Sequence, residues 1–472
     1  MVNRVEQCAR RAVRFLACAA GLAVLGGCRT YDQKMRDIQR DYHAGNYVQA
    51  ADQVAKCAEA SRGTRDELVW TLEEAALTRN AGRFDESLRA FERADQLFEK
   101  YQQEAKLRLG REGLSLLTNP TELPYTGHAY DGIMISVYQA LGSLQKGDRE
   151  AARVYLNRAY ERQQDAVAAH AAKIEKEREL VAKNADVTRT MNGPGFTSAV
   201  SNLESSVSGL AAYADYVNPF AVYVDGLYHL NAGVDASDYQ RAAKCFERVQ
   251  AFAPNNGYVR EDFARASGAA SAKPEESACY VLFETGSAPS REAVRIDIPI
   301  LIARVSYVGI SFPKLKMHDA TVRSLDVEAE GKRWPCQRVA DMDAVVATDF
   351  KNELPSIMAH ATASAVAKAV AAYAINTAAK EAGGSGAQLA AQLLTAGYQL
   401  VMNVADTRTW STLPKEFQVC RIPMPADRKI VLSAAGGGCR RELALNGGRT
   451  VVVWVKAVDR PDQMTVTQFT LR

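Results

Sequence analysis

The sequence predicts a multidomain chain. An all-α solenoid of helical hairpins over residues 28–263 precedes an α+β domain over 278–472, which has a mainly antiparallel sheet and an alanine-rich helical hairpin at 343–404. Three observations predict this. Apolar residues recur at helical spacing from residue 31 to about 266, punctuated by glycines. Beyond residue 277 the period shortens, and runs such as CYVLFETG, RIDIPILI and TVVVWVKAV are β-branched and aromatic. Two alanine-rich stretches, AHATASAVAKAVAAYAINTAAKEA and AQLAAQLLTAGYQLVMNV, interrupt those strands. With 472 residues, 47% apolar and 24% charged, there is material for two or three domains with sizeable cores.

Residues 1–27 read as an address. Arg4, Arg10, Arg11 and Arg14 form a positive region before the apolar run FLACAAGLAVL, which is long enough for a signal and too short for a bilayer span. The run ends in Leu25-Gly26-Gly27-Cys28, which resembles the lipobox of bacterial lipoproteins. The resemblance implies diacylglyceryl attachment to the Cys28 sulfur and cleavage before it. Arg29 stands where enteric lipoproteins retained at the inner membrane carry Asp, so the implied destination is the periplasmic face of the outer membrane. The formal charge of +3 belongs to the leader. Of 58 basic and 55 acidic residues, four arginines and Glu6 lie there, leaving 54 against 54. A neutral mature chain offers no nucleic-acid footprint.

Four helical units follow. They contain Gly45-x-Tyr47-x-x-Ala50; Gly82-x-Phe84 with Phe91 and Ala94; Gly147 with Ala152, Leu156 and Ala159; and Asp238-Tyr239 with Ala242, Phe246, Val249 and Pro254. Glycine permits the tight turn, the aromatic wedges into the pair, and alanines let helices approach closely. These units resemble tetratricopeptide repeats, a class that binds peptides or proteins on a concave face. The spacing departs from a regular tandem array. Gly45 and Gly82 lie 37 residues apart and Gly147 a further 65, while Ser87 and Arg149 occupy positions where the repeat prefers alanine and an aromatic. Three segments, residues 125–163, 213–227 and 405–414, together resemble a family of bacterial outer-membrane lipoproteins of unknown function. Their N-terminal halves are repeat-like, and members are often encoded near activators of peptidoglycan synthases.

Residues 264–277, ARASGAASAKPEES, read as an interdomain linker. The uncharged stretch 382–405 raises a membrane-inserting hairpin as an alternative to a hairpin that covers the sheet, although Gln388, Gln392, Gln399 and Asn403 are costly in hydrocarbon. Cys57 and Cys245 read as small apolar residues. In an oxidising compartment at least one disulfide is expected among Cys279, Cys336, Cys420 and Cys439, with three pairings open.

Chemistry is sparse in the sequence. Ser311-Phe312-Pro313-Lys314 matches the S-x-x-K pattern, but Pro313 and strand-like flanks oppose the helix it requires, and no K-T-G or S-D-N occurs. Asp341-x-Asp343 lacks the remainder of a calcium loop and reads as helix N-terminal charge. The six histidines show no ligand spacing, so neither metal nor cofactor is expected. Tyr130, Arg158 and Arg162 in the helical half, and Asp406, Arg408 and Trp410 in the C-terminal half, are the candidate partner-binding residues, with an Asp406–Arg408 pair that orients a loop as the other reading of the second group. The reading is a non-enzymatic adaptor, anchored in the membrane by lipid, that holds an envelope protein or copies of itself. A membrane-inserting oligomer and an envelope hydrolase are the alternatives.

Overall fold

The computed structural model describes residues 30–108, 120–182, 184–205, 213, 216–269, 276–298, 308–381, 404–434 and 439–472. The N-terminal half is helical and the C-terminal part contains sheets. Helices α1 (Tyr31–His43) and α2 (Tyr47–Ala60), α3 (Glu67–Asn80) and α4 (Phe84–Arg108), α5 (Ala129–Gln145) and α6 (Arg149–Ala182), and α9 (Pro219–Ala232) and α10 (Ala236–Phe252) form four hairpins in sequence. Two short helices, α7 (Ala185–Met191) and α8 (Pro194–Ser205), follow α6, and α11 (Gly257–Ala269) closes the half.

Local chemistry sets these boundaries. Thr30 caps α1 by accepting from the Gln33 N–H, while its own N–H donates to the Gln33 side chain. The first three hairpins share one turn. Gly45, Gly82 and Gly147 sit at φ of 83°, 78° and 80°, a backbone region that costs glycine nothing. Each donates to a carbonyl three residues back, and the next residue (Asn46, Arg83 or Asp148) donates to one five back, which satisfies the last carbonyls of the helix. The fourth turn instead uses Asp235, whose carboxylate accepts from the Ser237 and Asp238 N–H groups.

In α3, α5 and α9 nearly every residue is buried, polar ones included. A helix buried all round needs cover on both sides. One side meets its hairpin partner and the other meets the sheet half.

That half contains β1 (Ala278–Thr285), β2 (Ser290–Ile298), β3 (Val308–Lys316), β4 (Leu325–Ala329), β5 (Lys332–Pro335), β6 (Gln337–Asp341), α12 (Met342–Glu381), β7 (Glu416–Pro423), β8 (Lys429–Ala434), β9 (Arg440–Ala444), β10 (Thr450–Ala457) and β11 (Thr465–Thr470). Three sheets form, ordered β11-β10-β1-β7-β6, β2-β3 and β5-β4-β8-β9. Antiparallel pairing prevails, as expected, but β1 and β10 pair in parallel, from Ala278 opposite Thr450 to Thr285 opposite Ala457. Both strands are buried at every position, which suits unbroken apolar runs at a sheet centre. One hydrophobic cluster runs from Tyr31 to Leu471 across both halves.

One expectation changes here and one is met only in part of its range. Residues 264–269 are not linker but the end of α11, with Ala266 and Ala269 buried, because small residues favour close helix packing. The alanine-rich hairpin keeps its first helix, α12, which carries Pro355 internally. Its second helix falls outside the described residues. Among the described residues no helix is long and apolar enough to cross a membrane. Ser311 and Lys314 lie on strand β3, where residues three apart face opposite ways. Asp341 accepts from the Asp343 N–H at the start of α12.

Candidate functional site at the helix–sheet junction

The chain's own residues 405–415 and the five-stranded sheet pack against helices α1, α3, α4 and α5. Glu73 on α3 is fully buried and accepts from the Tyr31 hydroxyl, the Ser411 N–H and hydroxyl, and the Thr412 hydroxyl, at 2.6–2.8 Å. Burial still pushes its carboxyl above the usual range, against those four donors. The Tyr31 and Tyr42 hydroxyls lie within 2.7 Å of the Thr409 carbonyl and 3.3 Å of the Thr412 carbonyl. Trp410 is 1% exposed, packs against Phe91 and Tyr138, and donates to the Thr412 hydroxyl.

Beside this, Glu284 on β1 is buried among donors. The Trp454 indole N–H is 2.7 Å away, and Arg79 and Lys456 lie 3.3 and 3.4 Å away. The Arg79 guanidinium covers the Trp454 ring at 3.1 Å. Burial pulls Lys456 down to about 8, with Glu284 opposing.

The residues read from sequence as partner contacts fall at this junction and inside the helical half. Arg408 is 6% exposed. It grips Asp406 with two nitrogens at 2.6 and 2.9 Å, Asp66 at 2.8 Å and the Leu123 carbonyl at 3.0 Å. Arg162, also buried, donates to the Gly132 carbonyl, Ser136, Asp95 and Glu99. Arg158 pairs with Asp95 and keeps 39% of its side chain exposed. Tyr130 is 2% exposed, with its hydroxyl 3.2 Å from that of Thr409. Tyr130, Arg162, Arg408 and Trp410 therefore hold the molecule together from within rather than facing outward, because their polar atoms find partners on neighbouring elements. All six described cysteines are free thiols. Cys279, Cys336 and Cys420 are buried, and burial raises the Cys279 and Cys336 thiols.

A second buried cluster escaped sequence reasoning. His128, at the start of α5, stacks on Tyr130 with centroids 5.2 Å apart. Its Nδ1 lies 3.3 Å from Glu353 Oε1, 3.9 Å from Asp349 Oδ2 and 3.3 Å from the Arg291 guanidinium. Arg291 on β2 donates to the other Glu353 oxygen at 2.9 Å. Asp131 accepts from the Tyr125 hydroxyl and the His128 N–H. His128 Nε2, Asp131 Oδ1 and Asp349 Oδ2 are buried without a hydrogen-bond partner among the described residues. Burial, then Glu353, pushes Asp349 up to about 7. Asp349 also lines a narrow cleft of about 10 Å3 with Tyr130, Tyr213, Tyr216 and Thr348. One signal was available in the sequence: Asp349 and Glu353 stand four apart, one helical turn, among the apolar residues Val346, Phe350 and Leu354.

No family model matches the chain, and no curated protein matches it. Among solved structures it is similar to a tetratricopeptide repeat protein from Parabacteroides merdae at 12% identity. The match covers 50% of this chain and 98% of that one, with a TM-score of 0.14, too low to argue from.

Proposed function

We propose that this chain is a non-enzymatic envelope adaptor, tethered by lipid on Cys28 to the periplasmic face of the outer membrane, that holds another envelope protein. The leader with its lipobox-like end supports the tether. The observation that carries the adaptor reading is the use made of its most site-like side chains. Arg162, Asp406, Arg408 and Trp410 are engaged in intramolecular bonds and packing, as befits a rigid holder. Because residues 405–415 already cover one side of α1, α3, α4 and α5, the partner meets the side left open. There Tyr160 and Val167, two turns apart on α6, are 50% and 41% exposed. Envelope remodelling linked to peptidoglycan synthesis is the setting that the resemblance suggests, and association with copies of the same chain is a further use of that surface.

Crosslinking and pull-down from intact envelopes test this. A specific envelope protein should co-purify with the wild type and be lost on Tyr160→Glu with Val167→Glu, while Cys28→Ala loses labelling by a fatty-acid analogue and is released from membranes. Labelling that persists in Cys28→Ala overturns the tether. A pull-down indifferent to the α6 charges overturns the α6 contact.

A further inference from the structure

We propose that His128, Asp349 and Glu353 form a binding site for a divalent metal ion of the zinc class, which ties the base of α12 to the helical half. One imidazole and two carboxylates are a donor set that such ions take. Their ligand atoms all lie within 4.8 Å of one another, with Nδ1–Oε1 at 3.3 Å and Nδ1–Oδ2 at 3.9 Å. Around a tetrahedral ion bonded at about 2.0–2.2 Å, ligand atoms stand about 3.3 Å apart. A small inward movement of Asp349 therefore closes the triangle.

The independent observation is Asp349 itself. Its side chain is 4% exposed, and Oδ2, 3.9 Å from His128 Nδ1, has no hydrogen-bond partner among the described residues. A buried carboxylate oxygen left in that state is costly unless something cationic reaches it.

Two carboxylates among the three donors favour a divalent cation. Among the described residues Arg291, 9% exposed, lies beside Glu353 and His128. Arg291 is placed for two roles. By donating to Glu353 Oε2 it leaves Oε1 for the metal and orients the carboxylate. Its 3.3 Å approach to His128 Nδ1 also makes it the metal's competitor.

The test is titration of the chelator-treated full chain with Zn2+ and with Co2+, read by calorimetry and by cobalt absorption, with circular dichroism confirming the fold of each variant. One equivalent should bind and raise the thermal midpoint. Asp349→Asn and Glu353→Gln, which preserve shape, should weaken binding at least about tenfold, the scale of losing a supporting group at a metal centre. Arg291→Gln should tighten it. Binding that is unmoved in both carboxylate variants, or no binding by a folded wild type, overturns the proposal.

Discussion

Phe220 on α9 and Phe417 on β7 lie face to face, with ring centroids 3.7 Å apart and planes 11° from parallel. Neither ring has any exposed surface. The contact joins a helix of the last hairpin to the strand beside β1, so the two halves share one packing problem.

Phe417→Ala should therefore destabilise the whole chain by about 3–5 kcal/mol, the usual cost of an aromatic cavity. Adding Phe220→Ala should cost less than the sum of the single changes, by about 0.5–1.5 kcal/mol, because the pair interaction is lost only once. Urea unfolding of the four proteins in the cycle measures both, and helical and sheet signals should move together. Separate transitions for the two would contradict a shared core.

Glu73→Ala takes the acceptor from the Ser411 N–H and hydroxyl and the Thr412 hydroxyl in the interior, while the Tyr31 hydroxyl keeps the Thr409 carbonyl. A loss of at least about 3 kcal/mol is expected. It should come with faster proteolysis within residues 405–415 under native conditions, detected by mass spectrometry, whereas Glu67→Ala, toward the surface of the same helix, should leave that loop as resistant as in the wild type.

Gly132 leaves no room for a side chain unless Phe98 moves. A Cβ there would meet Phe98 Cζ at 2.5 Å and Cε1 at 2.6 Å. Gly132→Ala should lose about 1–3 kcal/mol by overpacking, and the smaller Phe98→Leu should restore part of that in the double variant. Calorimetric midpoints report the rescue. An alanine variant as stable as wild type would show that α4 yields at no cost.

Asp262 gives a pH signature. It accepts hydrogen bonds from Tyr280 and Tyr223, yet burial raises its carboxyl to about 6 despite Arg421 and Arg265 nearby. A carboxyl whose folded pKa exceeds its unfolded value stabilises the fold fully at low pH, and that contribution is lost as pH climbs through the folded value. The stability of wild type relative to Asp262→Asn should therefore fall between pH 4 and pH 6 and level off above. The drop is of the order of 3 kcal/mol at about 1.4 kcal/mol per unit. A difference that stays constant across that range would remove Asp262 from the titration.

The helical hairpins were legible in the sequence because Gly45, Gly82 and Gly147 each mark a turn that only a left-handed residue closes cheaply. The strands were legible from their β-branched runs. Their order was not, since β1 pairs with β10 across most of the sheet half and no local pattern encodes a distant partner. Cover on both sides was foreshadowed, unread, in the long apolar runs of α5 and α9, which are buried around nearly their whole circumference. The charged groups were legible only in part. Arg408 and Asp406 look like a site in one dimension, and only the fold reveals Asp66 and the Leu123 carbonyl beside them. His128 and Glu353, 225 residues apart, gave no spacing to recognise.

The bond from Tyr31 to the Thr409 carbonyl has a kinetic consequence. Stacked repeats usually consolidate one after another as the polypeptide emerges. Here the first helix must wait for residues near 410, and β1 must wait for strands centred near 420 and 454. The contact order is high, assembly is slow, and aromatic surfaces stay wet until synthesis is almost finished. Such a nascent chain depends on being shielded from its neighbours far longer than its repetitive first half suggests.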